Sequence, residues 1–293
     1  MEIWEELPER LKKCALCIGK FDGFHKGHRL LIEEAVDTDY PVAVLTFLFG
    51  NGETIDGSEQ KRRVAESLGI EYYIEVKAGP EIFSMTPEVF IKDVVSERLH
   101  AKHIIVGEDF RFGRDRAGDI ETLSEYEDKY GYRLHAVPKL KDKGKDISSS
   151  RIRECILAGQ MEDVTRLLSR PYTIEGIVTT GNHIGSDMGV PTANLPTDSK
   201  RVTPPYGVYA VSIIIDHDDN IYRGIGNLGV KPTIGRDNPP GLEVHIFDYD
   251  GDLYDRKIKV SLDSFLRREK KFEDLKKLHA QIEEDIRRAK SLR

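Results

Sequence analysis

The 293-residue sequence is poor in cysteine and tryptophan and has no long apolar run. Three cysteines and an acidic start that does not resemble a leader peptide favour a reducing compartment, so we expect a cytoplasmic protein. No apolar stretch approaches the ~20 residues needed to span a membrane. The chain also has no excess of positive charge, because its 44 Lys and Arg residues are outnumbered by 51 Asp and Glu residues, which gives a net charge of −7. A chain with this charge is a poor candidate for nucleic-acid binding.

Apolar residues make up 39% of the chain and charged residues 32%, which is enough apolar material for folded cores. The length exceeds that of most single domains and predicts two. Arg170 followed by Pro171 is the expected boundary, because a residue before proline disfavours helix. We therefore expect domains at 1–170 and 171–293.

The first half alternates apolar strands with helices, which predicts an α/β domain with a Rossmann-like parallel sheet covered on both faces. Strands are expected at 14–19, 41–47, 71–76, 103–107 and 132–137. Cys14 and Cys17 have C-x-x-C spacing, but strand alternation would send the two thiols to opposite faces. No second such pair exists to complete a zinc site, so both are expected to be buried core residues.

The pattern changes after Pro171. Consecutive strands at 172–179, 207–215, 221–227, 242–249 and 257–262 are joined by turns rich in Gly, Asn and Asp, which predicts a small antiparallel β-barrel. A final amphipathic helix is expected to pack on this barrel, through apolar residues spaced three and four apart: Phe272, Leu275, Leu278, Ile282, Ile286 and Ala289.

A glycine- and histidine-rich segment follows the first strand and opens the first helix. In a parallel sheet this is the edge where ligands bind, and free N–H groups at a helix start favour a phosphate. His25 and His28 lie three apart and can face one ligand, which suits attack at an α-phosphate. No Walker-type G-x-x-x-x-G-K-[ST] is present. The alternative is a capping histidine beside a solvated one.

Phe21-Asp22-Gly23 followed by His25-Lys26-Gly27-His28 resembles the nucleotidyltransferase motif of bacterial bifunctional riboflavin kinase/FAD synthetases. The resemblance implies that ATP is bound by Phe21, Asp22, Gly23, His25, Gly27 and His28. It also implies that His25 and His28 are catalytic and stabilise the transition state, and that Asp22 lies near the metal and triphosphate. Ser148-Ser149-Ser150-Arg151 resembles the phosphate segment of that family, which implies that Ser149, Ser150 and Arg151 grip the leaving pyrophosphate.

The segment from Gly107 to Gly113 resembles the family's flavin-side loop. It offers aromatic faces for stacking and a cation for a flavin phosphate. The flavin-binding residues implied there are Asp109, Phe110, Arg111 and Phe112. A surface loop with buried phenylalanines is the alternative for this segment.

In the second half, Pro191-Thr192-Ala193-Asn194 resembles the family's riboflavin kinase motif. Thr192 and Asn194 can offer the hard oxygen ligands that Mg²⁺ prefers. The preceding glycine-rich segment could fold over ATP as a lid. The ATP-binding residues implied here are Gly185, Gly189, Pro191, Thr192 and Asn194.

Three further segments match in order: Tyr206-Gly207-Val208-Tyr209, Asn227-Leu228-Gly229-Val230-Lys231-Pro232-Thr233 and Leu242-Glu243-Val244-His245-Ile246-Phe247-Asp248. The resemblance implies that Glu243 is the general base for phosphoryl transfer to riboflavin, and that Tyr206, Gly207, Val208 and Asn227 bind the flavin. A solvated strand carboxylate is the alternative for Glu243. His245 shares its face and could orient the base or simply pack.

Two departures stand out. Lys20 replaces a usual Asn, and Leu48-Phe49-Gly50-Asn51 replaces a usual Pro-His-Pro run. One activity could therefore be lost, and a non-enzymatic flavin-binding or regulatory module is the other alternative.

The favoured function is ATP-dependent conversion of riboflavin to FMN and of FMN to FAD with Mg²⁺. We expect small-molecule partners and a monomer or weak homo-oligomer.

Overall fold

The computed structural model describes residues 1–48, 52–77, 79–179, 192–230 and 240–292. It consists of two compact units, 1–149 and 150–293. The predicted ATP-binding residues Gly185, Gly189 and Pro191 lie outside the described residues, as does most of the segment that replaces the Pro-His-Pro run.

The first unit contains a six-stranded sheet in which all neighbouring strands are parallel, in the order β1-β4-β3-β2-β5-β6. The connection order reverses at β2, which has β3 on one side and β5 on the other. Loops at the carboxyl end of such a pair flank a crevice, where open α/β sheets bind ligands. The strands are β1 (Glu2–Trp4), β2 (Cys14–Gly19), β3 (Val42–Leu48), β4 (Tyr72–Lys77), β5 (Ala101–Gly107) and β6 (Arg133–Val137).

Helices connect these strands. They are α1 (Lys26–Val36), α2 (Ser58–Ser67), α3 (Pro80–Ser84), α4 (Pro87–Val89), α5 (Ile120–Glu125) and α6 (Glu127–Tyr130). A π-helical segment (Phe90–Arg98) continues α4, and a single 3-10 turn covers Arg114–Arg116. A short hairpin precedes the end of the unit and consists of two strands of two residues each, β7 (Lys141–Asp142) and β8 (Lys145–Asp146).

The central strand β2 separates two apolar cores. Cys14, Leu16 and Ile18 belong to one core, whereas Ala15 and Cys17 belong to the other. All of these side chains are buried, and both cysteines are free thiols. The opposite faces predicted for the C-x-x-C thiols are confirmed, because a strand buried on both sides must alternate its side chains between two cores.

The second unit begins within α7 (Ser149–Leu157), which is followed by α8 (Met161–Leu168). Helix α8 packs on strands of the sheet that follows. Six antiparallel strands then form a nearly closed barrel in the order β10-β13-β12-β11-β14-β9. Thr179 pairs with Asn194 and brings the two edges together. The strands are β9 (Tyr172–Ile177), β10 (Ala193–Pro196), β11 (Gly207–Ile215), β12 (Ile221–Gly229), β13 (Gly241–Ile246) and β14 (Lys257–Arg268).

The terminal helix α9 (Leu275–Ser291) packs on the outer face of the barrel. Its apolar residues Ile282, Ile286 and Ala289 pack in a cluster with Val208, Ala210, Ile225, Phe247 and Leu266. The helix is shorter than the apolar spacing predicted. Asp274 accepts a hydrogen bond from the backbone of Lys277 and so caps the helix, which leaves Phe272 before it.

The predicted fold class is therefore confirmed in both units. Four short strands were missed: β1 with three residues, β7 and β8 with two each, and β10 with four. Strands of this length carry too little alternation to be detected from sequence.

Candidate active sites

The loop between β2 and α1 has a strained backbone. Phe21 and Phe24 have positive φ angles of 43° and 41°, and Gly23 lies between them at 86°. Non-glycine residues in this region each cost about 1–3 kcal/mol and persist only where the surroundings hold them. Here Phe21 and Phe24 are fully buried and their rings stack, with centroids 5.5 Å apart.

Hydrogen bonds fix this loop at several points. The hydroxyl of Thr46 donates to the carbonyl of Lys20 at 2.8 Å, and Arg29 Nε donates to the carbonyl of Phe24 at 3.2 Å. Asp22 is buried, and its Oδ1 accepts from the backbone N–H of Ile55 at 2.9 Å. Its carbonyl accepts from the Ser149 hydroxyl at 2.9 Å. Asp22 therefore holds the loop in addition to any contact with a ligand.

The two histidines of the H-x-G-H motif lie together. Their rings stack with centroids 3.6 Å apart and an angle of 15° between the planes. His25 is the N-cap of α1, and its Nδ1 accepts the backbone N–H of His28 at 3.3 Å. Gly27 makes room for this arrangement, because a Cβ there would lie 3.2 Å from Cε1 of His25. The prediction that the pair faces one place is consistent with this geometry.

Both imidazoles are held neutral. Burial lowers the pKa of His25 to about 4. Burial, and then the charges of His25 and Lys61, lower the pKa of His28 well below its usual value. Because Nδ1 of His25 accepts a hydrogen bond, its neutral ring carries the proton on Nε2. His28 Nδ1 is buried and has no hydrogen-bond partner among the described residues. A buried polar atom without a partner is rare and calls for a ligand or a functional reason.

The loop after β5 contains the four predicted flavin-side residues. Asp109 is exposed and its carboxylate lies 2.9 Å from Lys139 Nζ. Arg111 is exposed and pairs with Asp119 at 2.6 Å. The rings of Phe110 and Phe112 stack at 5.5 Å.

The two rings differ in burial. Phe112 is buried in the core, whereas Phe110 is only partly buried at its edge. Phe110 is thus the aromatic face of this loop that remains accessible, and Phe112 supports it from behind. Ser149, Ser150 and Arg151, the predicted phosphate residues, form the first turn of α7.

In the barrel, the predicted kinase residues form one row across three strands. Glu243 on β13 pairs with Asn194 on β10 and with Asn227 on β12. Paired residues in a ladder project from the same face of the sheet, with Cβ atoms roughly 5 Å apart. Leu242 and Val244 on either side of Glu243 are fully buried in the barrel interior, so this row lies on the outer face.

The row continues along the same outer face to Val208 and Arg267. Val208 is buried in the cluster that α9 covers, and Tyr206, directly before β11, is exposed. Gly207 has φ 151°, and a Cβ there would lie 2.1 Å from the Arg267 carbonyl, so only glycine fits. The predicted flavin residues of the barrel therefore adjoin the row that contains Glu243.

Thr192 precedes β10 and lines a cavity of about 120 Å³ with residues of β10, β13 and the following loop. Tyr249, Asp252 and Tyr254 also line this cavity. Thr192 is two residues from Asn194, so the two oxygen donors of the predicted Mg²⁺ site lie close along the chain.

Family models match the two halves separately. A model described as FAD synthetase matches residues 7–151, and one described as riboflavin kinase matches residues 168–293. A bifunctional riboflavin kinase/FMN adenylyltransferase of Pseudomonas fluorescens is 33% identical over 291 residues, which cover 95% of this chain and 93% of the relative.

This chain belongs to the bifunctional riboflavin kinase/FMN adenylyltransferase family. The family member of Escherichia coli (strain K12) is 34% identical, over 93% of this chain and 90% of its own. That of Bacillus subtilis (strain 168) is 33% identical, over 97% and 93%. The family predicted from the ordered motifs is confirmed.

A solved structure has the same architecture as this chain. The crystal structure described as a macrolide-efflux protein from Streptococcus pneumoniae superposes with a TM-score of 0.89 and 27% sequence identity, covering 100% of this chain and 99% of the other. In the described part of our chain, no helix combines the length and hydrophobicity that a membrane crossing requires.

Sequence reasoning missed two features near these sites. Arg267, in the same row as Glu243, forms a bidentate ion pair with the buried Asp285 of α9, with Nη2 to Oδ2 at 2.7 Å. Lys61 and Glu75 form a buried pair that reaches the β2–α1 loop through Thr46. Neither lies in a recognisable motif, and both depend on residues that only the fold brings together.

Proposed function

We propose that this chain converts riboflavin to FMN at the barrel and FMN to FAD at the parallel sheet, with ATP as the second substrate of both steps. Membership in the bifunctional family supports the pair of activities. The single observation that carries the assignment within the molecule is the presence of two separate constellations. One consists of paired neutral imidazoles, and the other of a carboxylate flanked by two amides.

For adenylyl transfer, an oxygen of the FMN phosphate attacks the α-phosphorus of ATP, and pyrophosphate leaves. Negative charge then develops on the phosphoryl oxygens. His25, neutral and with its Nε2–H available, can donate a hydrogen bond to such an oxygen, and His28 can do so from the adjacent ring. The start of α1 adds backbone N–H groups to the same anion. Ser149, Ser150 and Arg151 are proposed on the pyrophosphate side.

The remaining residues of this site are assigned as follows. Phe21, Asp22, Gly23 and Gly27 shape the ATP loop, and Asp109, Phe110 and Arg111 are proposed to bind the flavin. Phe112 supports Phe110. The loops after β2 and β5 belong to neighbouring parallel strands, which supports placing nucleotide and flavin side by side at one edge of the sheet.

For phosphoryl transfer, Glu243 is the proposed general base. It accepts the proton of the ribityl 5′-hydroxyl as that oxygen attacks the γ-phosphorus, and ADP leaves. Asn194 and Asn227 on either side can orient the carboxylate and the flavin. Tyr206, Gly207 and Val208 are proposed flavin contacts, and His245 packs on the same face, with its ring 5.8 Å from that of Phe247.

Mg²⁺ fits this donor set. Thr192 and Asn194 provide hard oxygen atoms, and Mg²⁺ in phosphoryl-transfer sites is held by one or two protein oxygens together with substrate phosphates and water. When bound, it would neutralise charge on the ATP phosphates. Among the residues that the structure describes, no three His, Cys, Asp or Glu side chains cluster in a way suited to a metal ion.

We further propose a functional division at residues 1–170 and 171–293, a cytoplasmic location, and a monomer or weak homo-oligomer with small-molecule partners. The matched ranges of the two family models are compatible with this division.

The decisive experiment incubates the purified chain with riboflavin and MgATP, and separately with FMN and MgATP, and separates riboflavin, FMN and FAD. Both FMN and FAD are expected from riboflavin, and FAD from FMN. Failure to form FAD from FMN would mean that the first unit has lost its activity. Flavin binding without ADP production would instead indicate a non-enzymatic module.

A further inference from the structure

A buried ion pair lies behind the β2–α1 loop. Lys61 on α2 and Glu75 on β4 approach to 3.2 Å, and the two residues are only 7% and 3% exposed. Removing two charges from water is costly, and apolar residues of similar size often stabilise a core equally well. A buried ion pair is therefore weak evidence for a purely stabilising role. Its presence suggests instead that it fixes the position of a neighbouring segment.

The pair reaches the loop through one hydroxyl. Lys61 Nζ donates to Thr46 Oγ1 at 3.5 Å, and that hydroxyl donates to the Lys20 carbonyl at 2.8 Å. Glu75 is in turn held by the Tyr73 hydroxyl at 3.2 Å and by Arg62 at 3.4 Å. A chain of hydrogen bonds in which each donor is polarised by the next is stronger than its separate links.

The loop needs such support. Lys20 immediately precedes Phe21, the first of the residues with strained backbone, and the strained segment ends directly before His25. The conformation that places the two imidazoles is thus locally unfavourable and depends on contacts from outside the loop.

We propose that Lys61 is a positioning residue for adenylyl transfer, whose ammonium group, anchored by Glu75, fixes through Thr46 the loop that presents His25 and His28. The proposal rests on the proposed adenylyltransferase function. The ammonium group also lies close enough to lower the pKa of His28, which favours the neutral ring.

The test compares variants that break the chain at different links. Thr46→Val removes the hydroxyl and keeps the ion pair, whereas Thr46→Ser keeps the hydroxyl. The double variant Lys61→Met/Glu75→Gln removes both charges together and so avoids an unpaired buried charge. For each we measure kcat and KM for FAD formation from FMN, thermal unfolding, and FMN formation from riboflavin in the same preparation as an internal control.

We expect Thr46→Val and the double variant each to lower kcat for FAD formation by roughly 10- to 100-fold, with FMN formation unchanged and Thr46→Ser close to wild type. The triple variant Thr46→Val/Lys61→Met/Glu75→Gln should be no slower than the slower of these two variants, because both act through the same chain of hydrogen bonds.

FAD formation within about threefold of wild type in the double variant would overturn the proposal, as would losses that multiply in the triple variant. A parallel fall of both activities would also count against it, since a general loss of folding explains that result. If the wild-type chain itself makes no FAD from FMN, the adenylyltransferase function fails, and the positioning role fails with it.

Discussion

Glu243 lies directly opposite Asn194 in the ladder between β13 and β10. The two residues come from motifs that are far apart in the sequence, and the register of two strands places them side by side on the outer face of the barrel. Asn227 on β12 completes the row. This arrangement gives the carboxylate two amide neighbours at a site next to the face that α9 covers.

Replacing Glu243 with Gln should therefore impair only the kinase. We expect FMN formation from riboflavin to fall by roughly 10²- to 10⁴-fold, because a proton acceptor is lost while the shape is kept. FAD formation from FMN should be unchanged. Glu175→Gln, a partly buried carboxylate on β9 of the same barrel, is the matched control and should retain kinase activity.

Replacing His28 with Ala should have the converse effect. FAD formation from FMN should fall by about 10²- to 10³-fold, the usual loss when a donor to a developing anion is removed. FMN formation should be spared. His103→Ala is a matched control in the same unit, since that ring bonds His135 at 2.8 Å and lies away from the loop. Loss of both activities in the His28 variant would contradict the assignment of separate sites.

Gly27→Ala isolates the placement of the histidine rings. Alanine is favoured over glycine in a helix by about 1 kcal/mol, yet its Cβ would lie 3.2 Å from His25 Cε1. We expect unchanged or higher thermal stability together with slower FAD formation. Gly79→Ala, where a Cβ would meet nothing within 4 Å, should leave FAD formation at the wild-type rate.

The first unit should lose stability as the pH falls. The pKa of His25 is lowered from 6.5 to about 4 in the folded chain, so between these values the unfolded state binds more protons. Stability is fully present above pH 6.5 and declines toward pH 4, by about 3 kcal/mol for this group alone. His28 contributes in the same direction.

Urea titrations between pH 8 and pH 5 can measure this dependence. They would follow Trp4 of β1, which is the single tryptophan of the chain and reports on the first unit. A His25→Gln variant should show a shallower dependence on pH. An equal slope in that variant would contradict the neutral assignment of His25.

The C-x-x-C cysteines should be unreactive in the folded protein. Burial raises the pKa of Cys14 to about 12 and raises that of Cys17 further, so neither forms a thiolate near neutral pH. A thiol reagent at pH 8 should modify both only after unfolding, and a zinc chelator should leave the melting temperature unchanged. Rapid modification of Cys14 or Cys17 in the native chain, located by mass spectrometry of peptides, would indicate a redox role.

Several features of this protein follow from its local sequence. Apolar runs with turn residues between them predict strands wherever the period is long enough, as at β2 and β11. The same alternation places Cys14 and Cys17 on opposite faces. The H-x-G-H motif predicts its own site, because residues three apart at a helix start must lie close together.

Other features were decided by the tertiary structure alone. The Asn194–Glu243–Asn227 row depends on the register of three strands, and the Lys61–Glu75–Thr46 chain depends on a helix and two strands packed together. The periodicity of a local segment does not predict such contacts, because they join residues on different elements that are separated in the chain by loops. Local sequence determines which face a side chain occupies, whereas long-range packing determines which side chain it meets there.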